Sequence, residues 1–251
     1  MRKYRLVGQH VCIQTEDGKV YGVVECTRDL MKKSDLSAKD FLIDIGAETK
    51  EDALSLVHIG DPVAPDVVIR KLANGRFSGK ALDDKLGVYI IMEAFKRAKE
   101  RGCTAGVYAA ATTGEETTKT GAYWCSQRIR PTLALVVDVT FATDCLGGNP
   151  AESGEVLLGG GPVLCNAPMV MKGLNKQLND CAVKAEIPVQ WEAASRITCT
   201  DGDQIHFSND GVPVALISIP LRYMHTPAEV ADVNDVENCI ELITEYLISL
   251  T

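Results

Sequence analysis

Leu133-Ala-Leu-Val-Val-Asp138-Val-Thr-Phe-Ala-Thr-Asp144 decides the fold class of this chain. An apolar run this short, rich in β-branched residues, reads as a buried parallel strand with Asp138 at its C-terminal end. Val212-Pro-Val-Ala-Leu-Ile-Ser-Ile-Pro220 is a second such strand, and Leu-Arg-Tyr-Met-His225-Thr-Pro-Ala-Glu-Val230 follows it. Helical patterns lie between and around them. Leu86, Tyr89, Ile90, Met92, Ala94 and Phe95 recur at amphipathic spacing, and Leu174, Leu178, Cys181, Ala182 and Ala185 mark another helix. A last helix carries Val236, Ile240, Ile243, Leu247 and Leu250 as its buried stripe, with Asn234 and Glu237 as its cap. Ile187-Pro-Val-Gln-Trp191 has the look of an edge strand because of Pro188. From about Arg70 onward this alternation predicts a βαβ sheet.

The part before it, up to about Ile69, is β-rich. Val11–Gln14 and Val20–Glu25 flank Glu16-Asp17-Gly18, an Asp-Gly turn that signals a hairpin. Phe41–Ile45 predicts a third strand, and Thr49 with Asp52 has capping-box-like spacing for a short helix. We therefore divide the chain into residues 1–69 and residues 70–251. Gly159-Gly-Gly161-Pro162 lacks the frame of a phosphate cradle, and lets a turn close or a backbone approach a substrate.

The chemistry gathers at strand ends, where the crevice of an open α/β sheet lies. Gly114-Glu115-Glu116 follows an apolar run, Cys103–Thr113, that reads as a strand leaving the sheet. Adjacent side chains on an extended backbone point apart, so one glutamate can hold a metal while the other accepts a proton from water. A lone Glu-Glu is ordinarily a solvated turn. Asp83 and Asp84 in Gly79-Lys-Ala-Leu-Asp-Asp-Lys-Leu-Gly87 stand at a helix N-terminus; capping explains one of them, and a second like charge beside it is costly without a cation. His225 alone would be read as a structural histidine. Taken together, Asp83, Glu115, Glu116, Asp138 and His225 describe carboxylates plus an imidazole with no thiolate partner, the donor set of a hydrolytic Zn²⁺, Co²⁺ or Mn²⁺ site.

Gly79–Gly87, Thr113-Gly-Glu-Glu116, Val137-Asp-Val-Thr140 and Ile219–Val230 together resemble the tetrahedral aminopeptidase family over nearly all of the chain. The resemblance implies a three-layer α/β/α dinuclear-metal exopeptidase fold carrying a small β-barrel dimerisation domain, here residues 1–69. It implies two divalent metal ions, zinc or cobalt, with Asp83 bridging them, Glu116 and Asp138 each on one, and His225 as a terminal ligand. Glu115 is then the catalytic base, and Asp84 supports Asp83 across a cis peptide bond. Peptide substrates, a cytoplasmic location and a homo-oligomer built from dimers, up to a dodecamer, follow from the same likeness. The family also carries a His two residues before an Asp, upstream of the small domain. None of His10, His58, His206 and His225 has an Asp two places on, so that motif is missing. The expectation is an N-terminally incomplete fold and a metalloaminopeptidase that is impaired, binding at most one metal. The alternatives are an inactive assembly or peptide-binding protein, a deacylase or carboxypeptidase with the same metal chemistry, and a glycosidase. The last needs carboxylates on opposite sides of one bond, which adjacent Glu115 and Glu116 do not provide.

Composition narrows the partners. With 251 residues, 46% of them hydrophobic, the chain can fill one sizeable core and a small appendage. A net charge of −8 argues against nucleic acid and anionic membranes. Nine cysteines without a Cys-x-x-Cys pattern read as reduced thiols, mostly buried. The first ten residues carry basic groups with no apolar core behind them, unlike a secretory signal, and no run approaches the length of a membrane helix.

Overall fold

The computed structural model describes residues 3–33 and 35–250. Contacts divide the chain into two compact units, residues 1–70 with 78–81 and 225–229, and residues 71–77 with 82–224 and 230–251.

In the first unit, β1 (His10–Thr15), β2 (Gly18–Val24), α1 (Arg28–Lys32), β3 (Ile43–Asp44), α2 (Lys50–Leu56) and β4 (Val63–Pro65) follow in chain order. The strands pair antiparallel in the order β3-β2-β1-β4. The expected hairpin forms, but Thr15 faces Gly18, so its two turn residues are Glu16 and Asp17 and Gly18 already belongs to β2. Val11, Cys12, Ile13 and Val24 are its buried residues from this hairpin. The third strand is shorter than its apolar run. Ser37 donates from both its backbone N–H (2.7 Å) and its hydroxyl (2.8 Å) to Asp40, and the resulting 3₁₀ turn, Ala38–Asp40, keeps the chain out of the ladder until Ile43. Helix α2 starts as expected, with Thr49 Oγ1 accepting the Asp52 N–H at 3.0 Å.

The chain continues through β5 (Arg70–Lys71), β6 (Arg76–Gly79), α3 (Leu82–Glu100), α4 (Thr120–Ile129), β7 (Ala134–Phe141), α5 (Pro150–Ser153), β8 (Val163–Asn166), α6 (Lys172–Lys184), β9 (Gln190–Ala193), α7 (Gly202–Ile205), β10 (Val214–Leu221), β11 (Glu229–Asp232) and α8 (Val233–Ser249). The main sheet has the order β7-β10-β8-β9 and is mixed: β10 runs parallel to β7 and antiparallel to β8, and β8 parallel to β9. Every residue of β10 is buried, as its unbroken apolar run requires of a central strand.

Alternation sorts the sheet's two faces. Val139, Leu164, Ala215, Ile217, Ile219 and Leu221 turn toward the large core, to which α3, α6 and α8 contribute Ile90, Leu178, Ile240 and Tyr246. Val136, Cys165, Val214 and Leu216 turn the other way, against Ile205 of α7. Each fully buried Leu or Ile of this kind contributes about 1.5–3 kcal/mol. Helices on both faces of a mixed sheet make an α/β fold.

Four expectations are corrected. Asp138 lies inside β7 rather than at its end, because pairing with β10 continues through Phe141–Leu221. The run Cys103–Thr113 is no ladder strand: exposure alternates from Thr104 to Ala110, but among the described residues nothing pairs with it. Strand β9 is an edge strand as expected, but it begins at Gln190, beyond Pro188, whose ring cannot donate to the ladder. The cap of α8 is Asp232, which accepts the Asn234 N–H at 2.9 Å, while Glu237 instead pairs with Arg97 of α3.

The glycine run proves to be a closed turn. Buried Asp235 accepts the N–H groups of Gly159 and Gly161, both at 2.7 Å, and a Cβ on Gly161 would overlap the Pro188 carbonyl. Asp235→Ala leaves the buried Gly161 N–H and the part-buried Gly159 N–H without their acceptor, so it should lower stability by about 2–4 kcal/mol, on the order of two lost charge-assisted bonds. A urea midpoint unchanged from the parent would contradict this.

Candidate metal centre

The first residues of α3 are not helical, with Asp83 at φ −80°, ψ 106° and Asp84 at φ −121°, ψ 57°. The peptide bond between them is cis. The two carboxylates have different surroundings. Asp84 folds back onto the helix, accepting the Gly87 N–H at 2.7 Å, which is the capping contact. Gly87 is required there, because any Cβ would overlap the Asp84 carboxylate. Asp83 points elsewhere.

Glu115 and Glu116 sit in a tight turn rather than at a strand end. Gly114, at φ +79°, offers its carbonyl to the N–H groups of Thr117 (3.2 Å), Thr118 (2.9 Å) and Lys119 (2.7 Å). Gly121 packs so closely on Thr113 that a side chain would overlap its backbone. The turn leaves Glu116 exposed and Glu115 partly buried, with the Lys119 ammonium 3.4 Å from Oε1. His225 follows β10 on a short excursion whose stems, Arg222 and Val230, exchange backbone hydrogen bonds of 3.0 and 3.1 Å. Its own N–H donates to the buried Glu229 carboxylate at 2.8 Å.

One ligand atom each from Asp83, Glu116 and His225 lie within 4.8 Å of one another. Among the described residues this is the only such grouping of His, Cys, Asp and Glu side chains. Asp138 is not part of it. Its Oδ1 accepts its neighbour Val139's N–H at 2.8 Å. The remaining histidines do not complete a second grouping. His206 has Nδ1 3.3 Å from the Val212 carbonyl and its ring edge-on to Phe207, and the His58 N–H donates to Asp61.

The carboxylates around the trio are mutually repulsive. Burial pushes the Asp138 carboxyl up to about 8, and the charges of Asp84, Glu115 and Asp83 add to it. Burial likewise takes Asp84 up to about 7, against the stabilising Gly87 N–H, with Asp83, Glu115 and Asp201 raising it further. Glu115 is also raised by burial, with the Lys119 ammonium opposing the shift. So much half-buried negative charge is what a divalent cation offsets. Two carboxylates and an imidazole suit zinc, cobalt or manganese. The donor set therefore fits one such ion, and Asp138 adds a further carboxylate nearby.

Sequence reasoning passed over Thr112, Lys119, Asp201 and Asp203. Thr112 Oγ1 donates to Asp201, and Asp203 lies 3.4 Å from the Lys119 ammonium. The signal was available in Thr200-Asp-Gly-Asp203, two carboxylates in a Thr-rich loop.

A folded acid held above its unfolded value binds more protons folded than unfolded, so stability falls as pH rises between the two values. Metal-free protein should accordingly unfold at progressively lower temperature from about pH 4 to about pH 8. Asp138→Asn should flatten the upper part of that slope. Parallel slopes for parent and variant would count against the burial of Asp138.

The profile of the M42 glutamyl aminopeptidases matches residues 1–242. The chain is 33% identical over 257 residues to the lysyl aminopeptidase of Pyrococcus furiosus, covering 96% of this chain and 70% of that one. Among solved structures it is similar to the TET aminopeptidase of a marine-sediment Thaumarchaeota archaeon, with a TM-score of 0.88 and 33% identity, over 98% of this chain and 72% of that one. It is also similar to the Pyrococcus horikoshii TET1 peptidase, which can assemble into a tetrahedron or a large octahedral shell. There the TM-score is 0.83 and the identity 28%, over 98% of this chain and 73% of that one.

Proposed function

The chain belongs to the M42 glutamyl aminopeptidase family, and from that premise we propose that it releases N-terminal residues from peptides at a divalent-cation centre held by Asp83, Glu116 and His225. The observation that carries the reading is the meeting of those three ligand atoms within 4.8 Å, each from one of the stretches that carry the resemblance. Asp138, with Asp83, is the place for a second cation, and among the described residues no histidine joins these two in a grouping of ligand atoms. We therefore expect one cation per chain. When bound, such an ion polarises the peptide carbonyl and brings the pKa of water toward neutrality.

The rest of the chemistry belongs to the protein. Glu115 stands beside the trio without joining it, partly buried, so it can take a proton from the attacking water and return it to the departing amine. Asp84 holds the start of α3 and with it the direction of Asp83. The surplus of carboxylates favours a positively charged substrate end, which is the free α-amine of a peptide.

The first unit is proposed to be the dimerisation module, closing as a small barrel. Exposed Tyr21, Leu42 and Ile59 support this, because solvated apolar side chains gathered on one small unit favour self-association. No helix among the described residues is long and apolar enough to cross a membrane.

Calorimetric titration with Zn²⁺ or Co²⁺ should give about one ion per chain, and His225→Ala should abolish the heat of binding. Aminoacyl p-nitroanilides test the reaction. Glu115→Gln should keep its metal and lose about 10²–10⁴-fold in kcat. A metal-loaded parent without turnover on any such substrate would leave an assembly or peptide-binding role in place of catalysis.

Leu42→Asp combined with Ile59→Asp should reduce the mass seen by light scattering to that of a monomer. An unchanged oligomer would place the interface elsewhere.

A further inference from the structure

Lys119 occupies a position that local physics disfavours twice. It is the N-cap of α4, where the helix dipole repels a cation and an oxygen-bearing side chain would satisfy a free N–H; no side-chain cap is made there. Its backbone is left-handed, φ 55° and ψ 18°, a conformation uncommon for lysine. Lysine side chains are usually solvated, yet this one is only 19% exposed.

Its surroundings explain the placement. The ammonium lies 3.4 Å from Glu115 Oε1 and 3.4 Å from Asp203 Oδ2. Asp203 is itself rigidly held. Its Oδ1 accepts the Thr198 N–H at 2.9 Å and the Thr198 hydroxyl at 2.7 Å, and its Oδ2 accepts the Cys199 N–H at 2.9 Å. Glu115 Oε1, by contrast, is buried with no well-formed hydrogen bond of its own. One end of the bridge is thus anchored by three donors, and the other end is a carboxylate whose direction nothing else secures at that oxygen.

We propose that Lys119 is a positioning residue: it ties Glu115 to Asp203 in the first turn of α7 and sets the direction of that carboxylate for the proton transfer assigned to it above. The inference rests on the peptidase reading for its catalytic consequence, and on geometry alone for the Lys119–Glu115 link. Glu116, next along the chain, belongs to the cation trio, whereas the Lys119 contact is made to Glu115 Oε1, the base.

The test uses the full chain with Lys119→Met, Lys119→Arg, Glu115→Gln and the Met/Gln double variant. Lys119→Met should lower kcat by about 10–10²-fold, the scale of a misplaced catalytic group, with KM and Zn²⁺ affinity each within about twofold of the parent. Lys119→Arg, which can still span the two carboxylates, should recover most of the rate. Thermal unfolding of the four proteins supplies a reading independent of turnover. The destabilisations of Lys119→Met and Glu115→Gln should be non-additive, since each removes the same contact. Additive unfolding shifts overturn the link, whatever the activity. Unchanged kcat in Lys119→Met, or a fall in kcat matched by lost Zn²⁺ affinity with no recovery by Arg, overturns the positioning role. A parent that unfolds normally but hydrolyses nothing would defeat the peptidase reading instead, and the unfolding cycle would still decide whether Lys119 holds Glu115.

Discussion

Like charges held together out of water are the constraint on which this molecule turns. Burial raises the proton affinities of Asp84 and Asp138, and the charges of Asp83 and Glu115, with Asp84 acting on Asp138, raise them further. At ordinary protein dielectric such neighbours cost several kcal/mol per close pair, and a chain would not assemble them for stability. The scaffolding around them is correspondingly specific. Gly87 has no side chain because Asp84 occupies its space, and Gly121 has none because Thr113 does. The β7–β10 register puts Asp138 opposite Ser218 on the α7 side of the sheet, away from the large apolar core. Each arrangement costs local freedom to keep a carboxylate in place.

Much of the fold was legible because burial leaves a direct trace in sequence. The unbroken run of β10 reads as a buried strand and is one, and the stripes of α3, α6 and α8 reach the core through Leu86, Ile90, Leu178, Ile240 and Ile243, whereas Tyr89, Met92 and Leu250, counted in the same stripes, are exposed. Elements failed where the deciding partner is distant or irregular. The run 103–113 has strand chemistry, but pairing is a property of a neighbour, and none among the described residues provides it. The cap of α8 was placed two residues late because Asn234 and Glu237 match the box pattern, whereas Asp232 reaches the free N–H groups and Glu237 is taken by Arg97. A salt bridge across 140 residues is invisible to a local pattern.

The site was legible in its motifs and not in its division of labour. Asp83, Glu116 and His225 come together from three separate stretches, as strand-end placement suggested, although Glu116 sits on a turn. Asp138 was expected at a strand end and is instead within β7, outside the trio. Thr112, Asp201, Asp203 and Lys119 were passed over because their meaning depends on a contact between segments 84 residues apart, Lys119 with Asp203. Only a folded chain reveals that a lysine at a helix start is the partner of a glutamate.

That partnership explains how two adjacent, chemically identical side chains can take the opposite roles proposed for them. On an extended strand Glu115 and Glu116 would differ only in which face they meet. On the turn built around Gly114 they differ in exposure and in what they reach. Glu116 is exposed and reaches Asp83 and His225, so a cation can draw it in without disturbing the interior. Glu115 is partly buried and faces an ammonium already committed to Asp203, so it resists being drawn toward the same ion. A base must keep its lone pairs for a proton and a ligand must give them to a metal. The turn, and the lysine that closes it, separate these demands within a single peptide unit.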